Sequence, residues 1–296
     1  MKGEFLGLLL ADKPEGPTSH DVVDMVRSIC GVRRVGHTGT LDPFASGLLI
    51  LCLGWVTRLA EYVAGLPKIY RGVVRLGAVT DTGDRTGRVI DSSEEWRRLS
   101  LAEVEEAARV QVGKIEQRPP DYSAKKLKGR RAYALARAGL QPVLQARQVE
   151  IRRFDLQGLA LPDLHFEIEC SGGTYIRAVA RDLGEARGVG AHLAQMRRVQ
   201  VGEFRVEDAL VVGADTSAAE ISAHLMPATD AVAHLPRVEV DREAGDRLIQ
   251  GGALDWGEGQ EIDGPVAIHA ADRLLAIGRV SEGRLWPKKV FATSTG

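Results

Sequence analysis

Three observations predict an α+β fold for this 296-residue chain. Strand-like and helix-like stretches follow one another without the regular βα alternation of a parallel sheet. Two capping boxes announce helices, Thr18 with Asp21 and Ser100 with Glu103. The composition also shifts after about residue 210, where Ala and Asp dominate residues 213–233 before a glycine-rich, strand-like pattern takes over.

Along the chain, Leu6 to Leu10 is a short apolar run and reads as a buried strand. Asp12-Lys-Pro-Glu-Gly-Pro-Thr-Ser19 is dense in turn residues. The spacing of Val22, Val23, Val26 and Ile29 carries Thr18 on into a helix. The stretch from Gly36 begins polar and ends in an unbroken apolar run, Leu48 to Leu53, closed by Gly54. Asp42 stands ahead of that run, and Pro43 stiffens its turn. Lys68 to Leu76 alternates as a strand does, and the helix opened by Ser100 runs to about Gln111. Ala132 to Ala138 reads as a short helix stopped by Gly139. Ile151 to Gln157 and Leu164 to Cys170 read as strands. Thr174 to Ala186 reads as a helix with Ile176, Val179, Ala180 and Leu183 inward. The pattern restarts at Leu235 to Val240, and the runs Val266 to Ile268 and Leu274 to Ile277 predict a small β-rich module. The boundary is placed between residues 232 and 233.

Apolar residues make up 44% of the chain, ordinary for a protein with a real core. The formal net charge of −1 announces no nucleic-acid partner. Cys30, Cys52 and Cys170 form no CxxC pair, and an odd count argues against a disulfide framework. The N-terminal apolar run is too short for a membrane span and lacks a cleavage pattern. A cytoplasmic protein with no membrane partner is expected. There is no GxxxxGK[ST] loop, and the seven histidines form no HxxxH or HExxH pair. Asp81 to Gly87 is a better turn than calcium loop. A reaction without metal or other cofactor is expected.

Charge is nevertheless uneven. Between Lys114 and Arg137 eight basic residues face only Glu116 and Asp121, a local net charge of +6, with Tyr122 and Tyr133 interleaved. Two readings are open: a solvated helix face plus loop, or a patch that neutralises phosphates while its rings stack on bases. Asp42 taken alone reads as a turn residue.

Several blocks together say more. Asp12 to Ser19, Gly36-His-Thr-Gly-Thr-Leu-Asp-Pro-Phe-Ala-Ser-Gly47, and Lys68-Ile-Tyr-Arg-Gly72 with Leu76-Gly77 and Thr80 to Asp84 come first. Gln117-Arg-Pro-Pro-Asp-Tyr-Ser-Ala124, Cys170-Ser-Gly-Gly-Thr-Tyr-Ile-Arg177 and Gly190-Ala-His192 through Arg197-Arg198 follow. In this order, across roughly residues 10–205, they resemble the TruB family of pseudouridine synthases. The resemblance implies a mixed-sheet pseudouridine synthase core over residues 1–232, with an RNA-gripping insertion at about 114–149. Val238 to Leu254 resembles the start of a PUA-type RNA-binding domain, implied for residues 233–296. The implied activity is isomerisation of uridine 55 in the T loop of tRNA to pseudouridine, without a cofactor. The implied partner is the T-arm stem-loop of tRNA. A monomer with no obligatory protein partner is expected.

The resemblance also implies roles. Asp42 would be the nucleophile, paired with Arg177, and Tyr70 would stack on the target uracil. Tyr175 and Met196 would contact the target nucleotide; Met stands where the family usually has Leu. His37 would fill the space that the flipped base leaves in the RNA loop. Lys125, Lys126 and Lys128 would grip the RNA, and Arg197 and Arg198 would add phosphate contacts.

The chemistry suits these residues. Moving uracil from an N1 to a C5 link with ribose needs no redox partner and no phosphate donor. It needs one ionised carboxylate, held in position. A guanidinium beside Asp42 favours the charged form and is expected to lower its pKa. Three first steps are open: addition to the base, attack on the sugar, or removal of a sugar proton. The alternative function is a non-catalytic tRNA-binding or tRNA-folding protein on the same scaffold. A second enzyme reading is the archaeal and eukaryotic relative that works on ribosomal RNA with guide RNA and protein partners; the absence of long basic tails favours the stand-alone bacterial enzyme.

Overall fold

The computed structural model describes residues 5–120, 126–127, 130–131, 145–257 and 262–291. Three strands open the chain: β1 (Gly7–Lys13), β2 (Val35–His37) and β3 (Ser46–Leu53). β1 and β3 pair antiparallel from Gly7 opposite Leu53 to Lys13 opposite Gly47. Both are continuous apolar runs because both of their faces are covered. Successive side chains point to opposite faces. Leu9, Ala11, Leu49, Leu51 and Leu53 therefore enter one core, while Leu8, Leu10, Leu48, Ile50 and Cys52 enter a second.

β4 (Lys68–Leu76) comes next, then a hairpin of β5 (Ala78–Thr80) and β6 (Val89–Ser92), then β7 (Gly113–Gln117). β8 (Lys126–Leu127) pairs with β9 (Arg130–Arg131). β10 (Arg147–Ala160), β11 (Asp163–Cys170) and β12 (Ala191–Val201) are long, and β13 (Phe204–Arg205), β14 (Leu210–Val211) and β15 (Leu225–Met226) are short. The main sheet runs β14-β1-β3-β12-β4-β11-β10-β7, with β2, β13 and β15 added beside β3, β12 and β1. It is mixed: β1 with β14 and β3 with β12 are parallel, and the other neighbours are antiparallel.

Helices α1 (Ser19–Cys30), α3 (Leu101–Val110) and α4 (Ile176–Ala186) cover the first core, to which the short helix Ala218–Ala223 adds Ile221, while the short α2 (Ala60–Ala64) lies beside the second. Both predicted capping boxes are present, at Thr18/Asp21 and Ser100/Glu103. Gly31 ends α1 at φ 64°, a left-handed position that suits a residue without Cβ. Val22, Val23 and Val26 of α1, and Ile176, Val179, Ala180 and Leu183 of α4, are buried as their spacing predicts.

The C-terminal sheet contains β16 (Arg237–Glu239), β17 (Leu254–Asp255), β18 (Pro265–Ala270), β19 (Arg273–Ser281) and β20 (Arg284–Val290), in the order β16-β18-β19-β20-β17. Its curled form, with one helix, is in keeping with a PUA-like module. That helix, Arg242–Ile249, buries Leu248 among Val238, Val266 and Ile268. Ala267, Leu274 and Ile277 join the second core of the large sheet. The end of β20 is fastened to the segment before β4. The Trp55 and Phe291 rings stack at 4.9 Å, Arg58 Nη1 donates to Val290 O at 2.6 Å, and Lys289 pairs with Glu61.

Several elements differ from expectation. β12 was not foreseen, since His192, Gln195, Arg197 and Arg198 interrupt its apolar pattern. Yet it lies between β3 and β4 in the sheet. α4 starts two residues later than predicted, because Tyr175 is its extended N-cap at φ −96° and ψ 109°. The C-terminal helix was not foreseen either. The predicted helix Ala132 to Ala138 lies outside the described residues.

Candidate active site

Asp42 sits in a turn that the local sequence builds. Asp42 O accepts from Ala45 N at 3.0 Å, with Pro43 second in the turn, where its fixed φ is favoured. Ser19, the first residue of α1, accepts from Leu41 N at 2.8 Å and donates to Leu41 O at 3.1 Å. Gly16 N donates to Pro43 O at 2.8 Å. The Asp42 turn is thus tied on both sides to the start of α1 and the loop before it.

Arg177 reaches Asp42 from α4. Its Nε lies 2.9 Å from Oδ2, and its Nη2 donates to Oδ1 at 3.1 Å, a two-point fork. Nη1 donates to Thr82 O at 2.8 Å and stands 3.8 Å from Asp84 Oδ2. Asp84 is in turn held by Thr86 N at 2.9 Å and by the Thr82 and Thr86 hydroxyls. The turn at residues 80–87 therefore orients the arginine.

The site is a cleft of about 310 Å³ lined by Asp42, Arg177, Tyr70, Tyr175 and Met196, with Lys68, Arg147 and Arg198. Lys68 and Tyr70 share one face of β4 because they are two residues apart. Arg198 stands opposite Tyr70 on β12, and Met196 opposite Gly72. Gln117 fixes Tyr175 through both of its backbone groups, accepting from N at 2.8 Å and donating to O at 3.1 Å. The Arg147 guanidinium lies 4.9 Å from the centre of the Tyr175 ring.

The electrostatics differ from the simple expectation for Asp42. Burial pushes its carboxyl above the ordinary aspartate value, by more than Arg177 pulls it down, and the charge of Asp84 adds to the rise. Although 30% of the side chain is open, it stands at the cleft floor with protein on most sides. The expected lowering by Arg177 is present but outweighed. Lys13 is fully buried, with Nζ donating to Pro14 O and Pro17 O at 2.8 and 2.9 Å. Burial pushes its amine down to about 8, with Asp42 opposing the fall. Burial raises the Tyr70 hydroxyl and lowers His37.

Of the predicted residues, Asp42, Tyr70, Tyr175, Arg177 and Met196 come together. His37 does not line this cleft; it lies on β2, just before the cleft residue Thr38. Lys125 and Lys128 lie outside the described residues, and Lys126 is placed only as part of β8. Arg198, expected as a phosphate contact, points inward. It is 2% exposed, and its Nε and Nη2 donate to Leu48 O and Gly39 O. Arg197 is paired at two points with Asp12. Sequence reasoning assigned no role to Lys13, Lys68, Asp84 or Arg147. A lysine closing one apolar strand and another opening the next was the available signal for the first two; Arg147 had none. Among the described residues, no three His, Cys, Asp or Glu side chains converge as metal ligands.

Comparison with known proteins gives this geometry its context. Residues 27–176 match the N-terminal domain of the TruB family pseudouridylate synthases. Residues 177–233 match the tRNA pseudouridylate synthase B C-terminal domain. The chain belongs to the TruB family. It is accordingly a pseudouridine synthase, an isomerase. TruB relatives named tRNA pseudouridine synthase B include one from Syntrophobacter fumaroxidans, 42% identical, with 91% of each chain covered. Another, from Thermobifida fusca, is 41% identical over 97% of this chain and 99% of its own. Among solved structures, a chain of a Cbf5-Nop10-Gar1 complex aligns with a TM-score of 0.74 at 26% identity, over 97% of this chain and 85% of that one. An H/ACA RNP bound to a substrate RNA containing 2′-deoxyuridine aligns at 0.72 and 23% identity, over 97% and 86%, and shares the fold. No helix among the described residues is long and apolar enough to cross a membrane.

Proposed function

We propose that this protein converts uridine 55 in the T loop of tRNA to pseudouridine, as a cytoplasmic monomer with no obligatory protein partner and no cofactor. The observation that carries the reading is the Asp42–Arg177 fork at the floor of a cleft walled by Tyr70 and Tyr175. Relatives that align along almost the whole chain are named tRNA pseudouridine synthase B, and that supports tRNA as the substrate.

The target uridine leaves its stack and enters the cleft, at a cost of a few kcal/mol. Stacking on Tyr70 returns about 1–3 kcal/mol of this. Tyr175 and Met196 close on the nucleotide. Asp42, whose ionised form Arg177 favours against the opposing effect of burial, acts on the sugar or the base. His37 occupies the gap left in the RNA loop. Lys125, Lys126 and Lys128 hold the RNA backbone, so local charge does what the net charge of −1 cannot. Residues 1–232 form the catalytic unit, with the gripping insertion at about 114–149, and residues 233–296 the PUA-like unit.

The test is a T-arm transcript carrying uridine 55, incubated with the protein in chelator-treated buffer and digested for nucleoside analysis. Pseudouridine at that position is expected. Tight binding without product would favour the non-catalytic reading instead.

A further inference from the structure

Lys68 and Arg198 are buried in the wall of the cleft, 5% and 2% exposed, and neither has a carboxylate partner among the described residues. Lys68 Nζ donates to Ala64 O and Leu66 O, both at 2.8 Å, and among the described residues its third N–H has no acceptor. Arg198 spends Nε on Leu48 O at 2.7 Å and Nη2 on Gly39 O at 2.9 Å. Carbonyls satisfy these donors geometrically but leave two positive charges uncompensated. Buried charges are normally paired, and two like charges side by side are doubly unfavourable. Burial, then the charge of Arg198, pushes the Lys68 amine down to about 8, so it is still cationic at neutral pH. The arrangement is prepared for an anion that arrives later.

We propose that Lys68 and Arg198 form a cationic wall that stabilises the negative charge carried by uracil once its bond to ribose breaks. The proposal rests on the pseudouridine synthase reading above. When C1′–N1 breaks, both bonding electrons leave on N1 and spread over O2 and O4. The deficit at C1′ is met either by an Asp42 oxygen, which forms a C1′–O bond, or by loss of the C2′ proton to that oxygen. The base turns and C5 bonds to C1′, either displacing the carboxylate or with return of the proton to C2′. C5 then loses its proton and N1 gains one, so the isomerisation balances. Between the two bonds the base is an anion held only by the cleft. Charge that develops in the transition state is where fixed positive groups raise the rate. A backbone phosphate is the other anion in such a complex, but Arg147 is the more exposed cation on this cleft and would meet it first.

The decisive experiment compares wild type with Lys68→Met on two T-arm RNAs, one carrying uridine and one 5-fluorouridine at the target. Fluorine itself stabilises the uracil anion, so it should replace part of the wall. Loss of the parent nucleoside is followed in single turnovers. On uridine the variant should be slower by about 100-fold, with tRNA affinity unchanged. On 5-fluorouridine the deficit should shrink to about 20-fold or less. Both rates come from one protein sample, so partial unfolding cancels from their ratio. Equal deficits on the two RNAs overturn the proposal. So does weaker binding with a flatter salt dependence and unchanged turnover, which would mark a phosphate site. Failure of the wild type on uridine removes instead the reading on which the proposal stands.

Discussion

Asp42 and Arg177 are 135 positions apart in sequence and meet at two points, Nε to Oδ2 at 2.9 Å and Nη2 to Oδ1 at 3.1 Å. The guanidinium is also anchored on Thr82 O at 2.8 Å and faces Asp84 at 3.8 Å. It cannot swing away from Asp42 without losing the other partners. The fork therefore fixes the direction of the carboxylate, while its pull toward the charged form is outweighed by burial.

Asp42→Asn is expected to bind tRNA normally and to make no detectable pseudouridine. Its stability should change with pH in a defined sense. The folded carboxyl titrates above the ordinary aspartate value of 3.8, because burial disfavours its charge. Ionised Asp42 thus costs stability above its folded pKa, and this cost vanishes below the unfolded value. The Asn variant should melt higher than wild type at pH 7, and the difference should close near pH 3. A lower melting temperature at pH 7 would contradict the direction of the shift.

Arg177→Lys keeps a positive charge but replaces the planar fork with a point donor. Misplacement of the carboxylate should cost about 100-fold in kcat. With less help toward ionisation, Asp42 should need a higher pH to lose its proton. The acid limb of the kcat/KM profile should move up, which a purely structural defect would not cause.

Arg147→Gln tests the half-buried cation of the cleft, more open than Lys68 or Arg198. Its guanidinium rests on the Tyr175 ring, and it forms no ion pair among the described residues. Loss of one phosphate contact should weaken tRNA binding and reduce the slope of log K against log salt by about 0.7. Binding measured between 50 and 200 mM salt, the window of about that range where such slopes are read, checks this. An unchanged slope would place the phosphate elsewhere.

Gly47→Ala addresses the register between β3 and β12. Gly47 has φ 104°, and a Cβ there would lie 2.2 Å from Arg198 O. The parallel pairing of the two strands passes through this point. The substitution should destabilise by at least about 1–3 kcal/mol, visible as a lower urea midpoint.

Much of the fold was legible in the sequence because it rests on local patterns. The capping boxes at Thr18 and Ser100 and the apolar run of β3 are short-range signals. β12 was not legible, since a central strand that carries Gln195, Arg197 and Arg198 looks like surface. Its polar residues are there to build the cleft and to meet Asp12. Asp42 and Arg177 were found through motif order, and their contact could not be read from spacing. The same order suggested phosphate contact for Arg198, yet only the packing of β12 against β3 and β4 reveals that it points inward. The upward push on Asp42 likewise depends on how deeply the turn is enclosed, which is a property of the assembled cleft.

The fastening of Phe291, Val290 and Lys289 onto residues 55–61 has a bearing on truncation experiments. Glu61 belongs to α2, and α2 ends at Ala64, whose carbonyl accepts a hydrogen bond from Lys68. The last strand is therefore a buttress behind the cleft as well as part of the C-terminal sheet. Slower turnover after removal of that sheet would not by itself report a lost RNA contact. It would also report a wall left without its outer support, and only a full-length variant with Phe291 cut back to Ala separates the two.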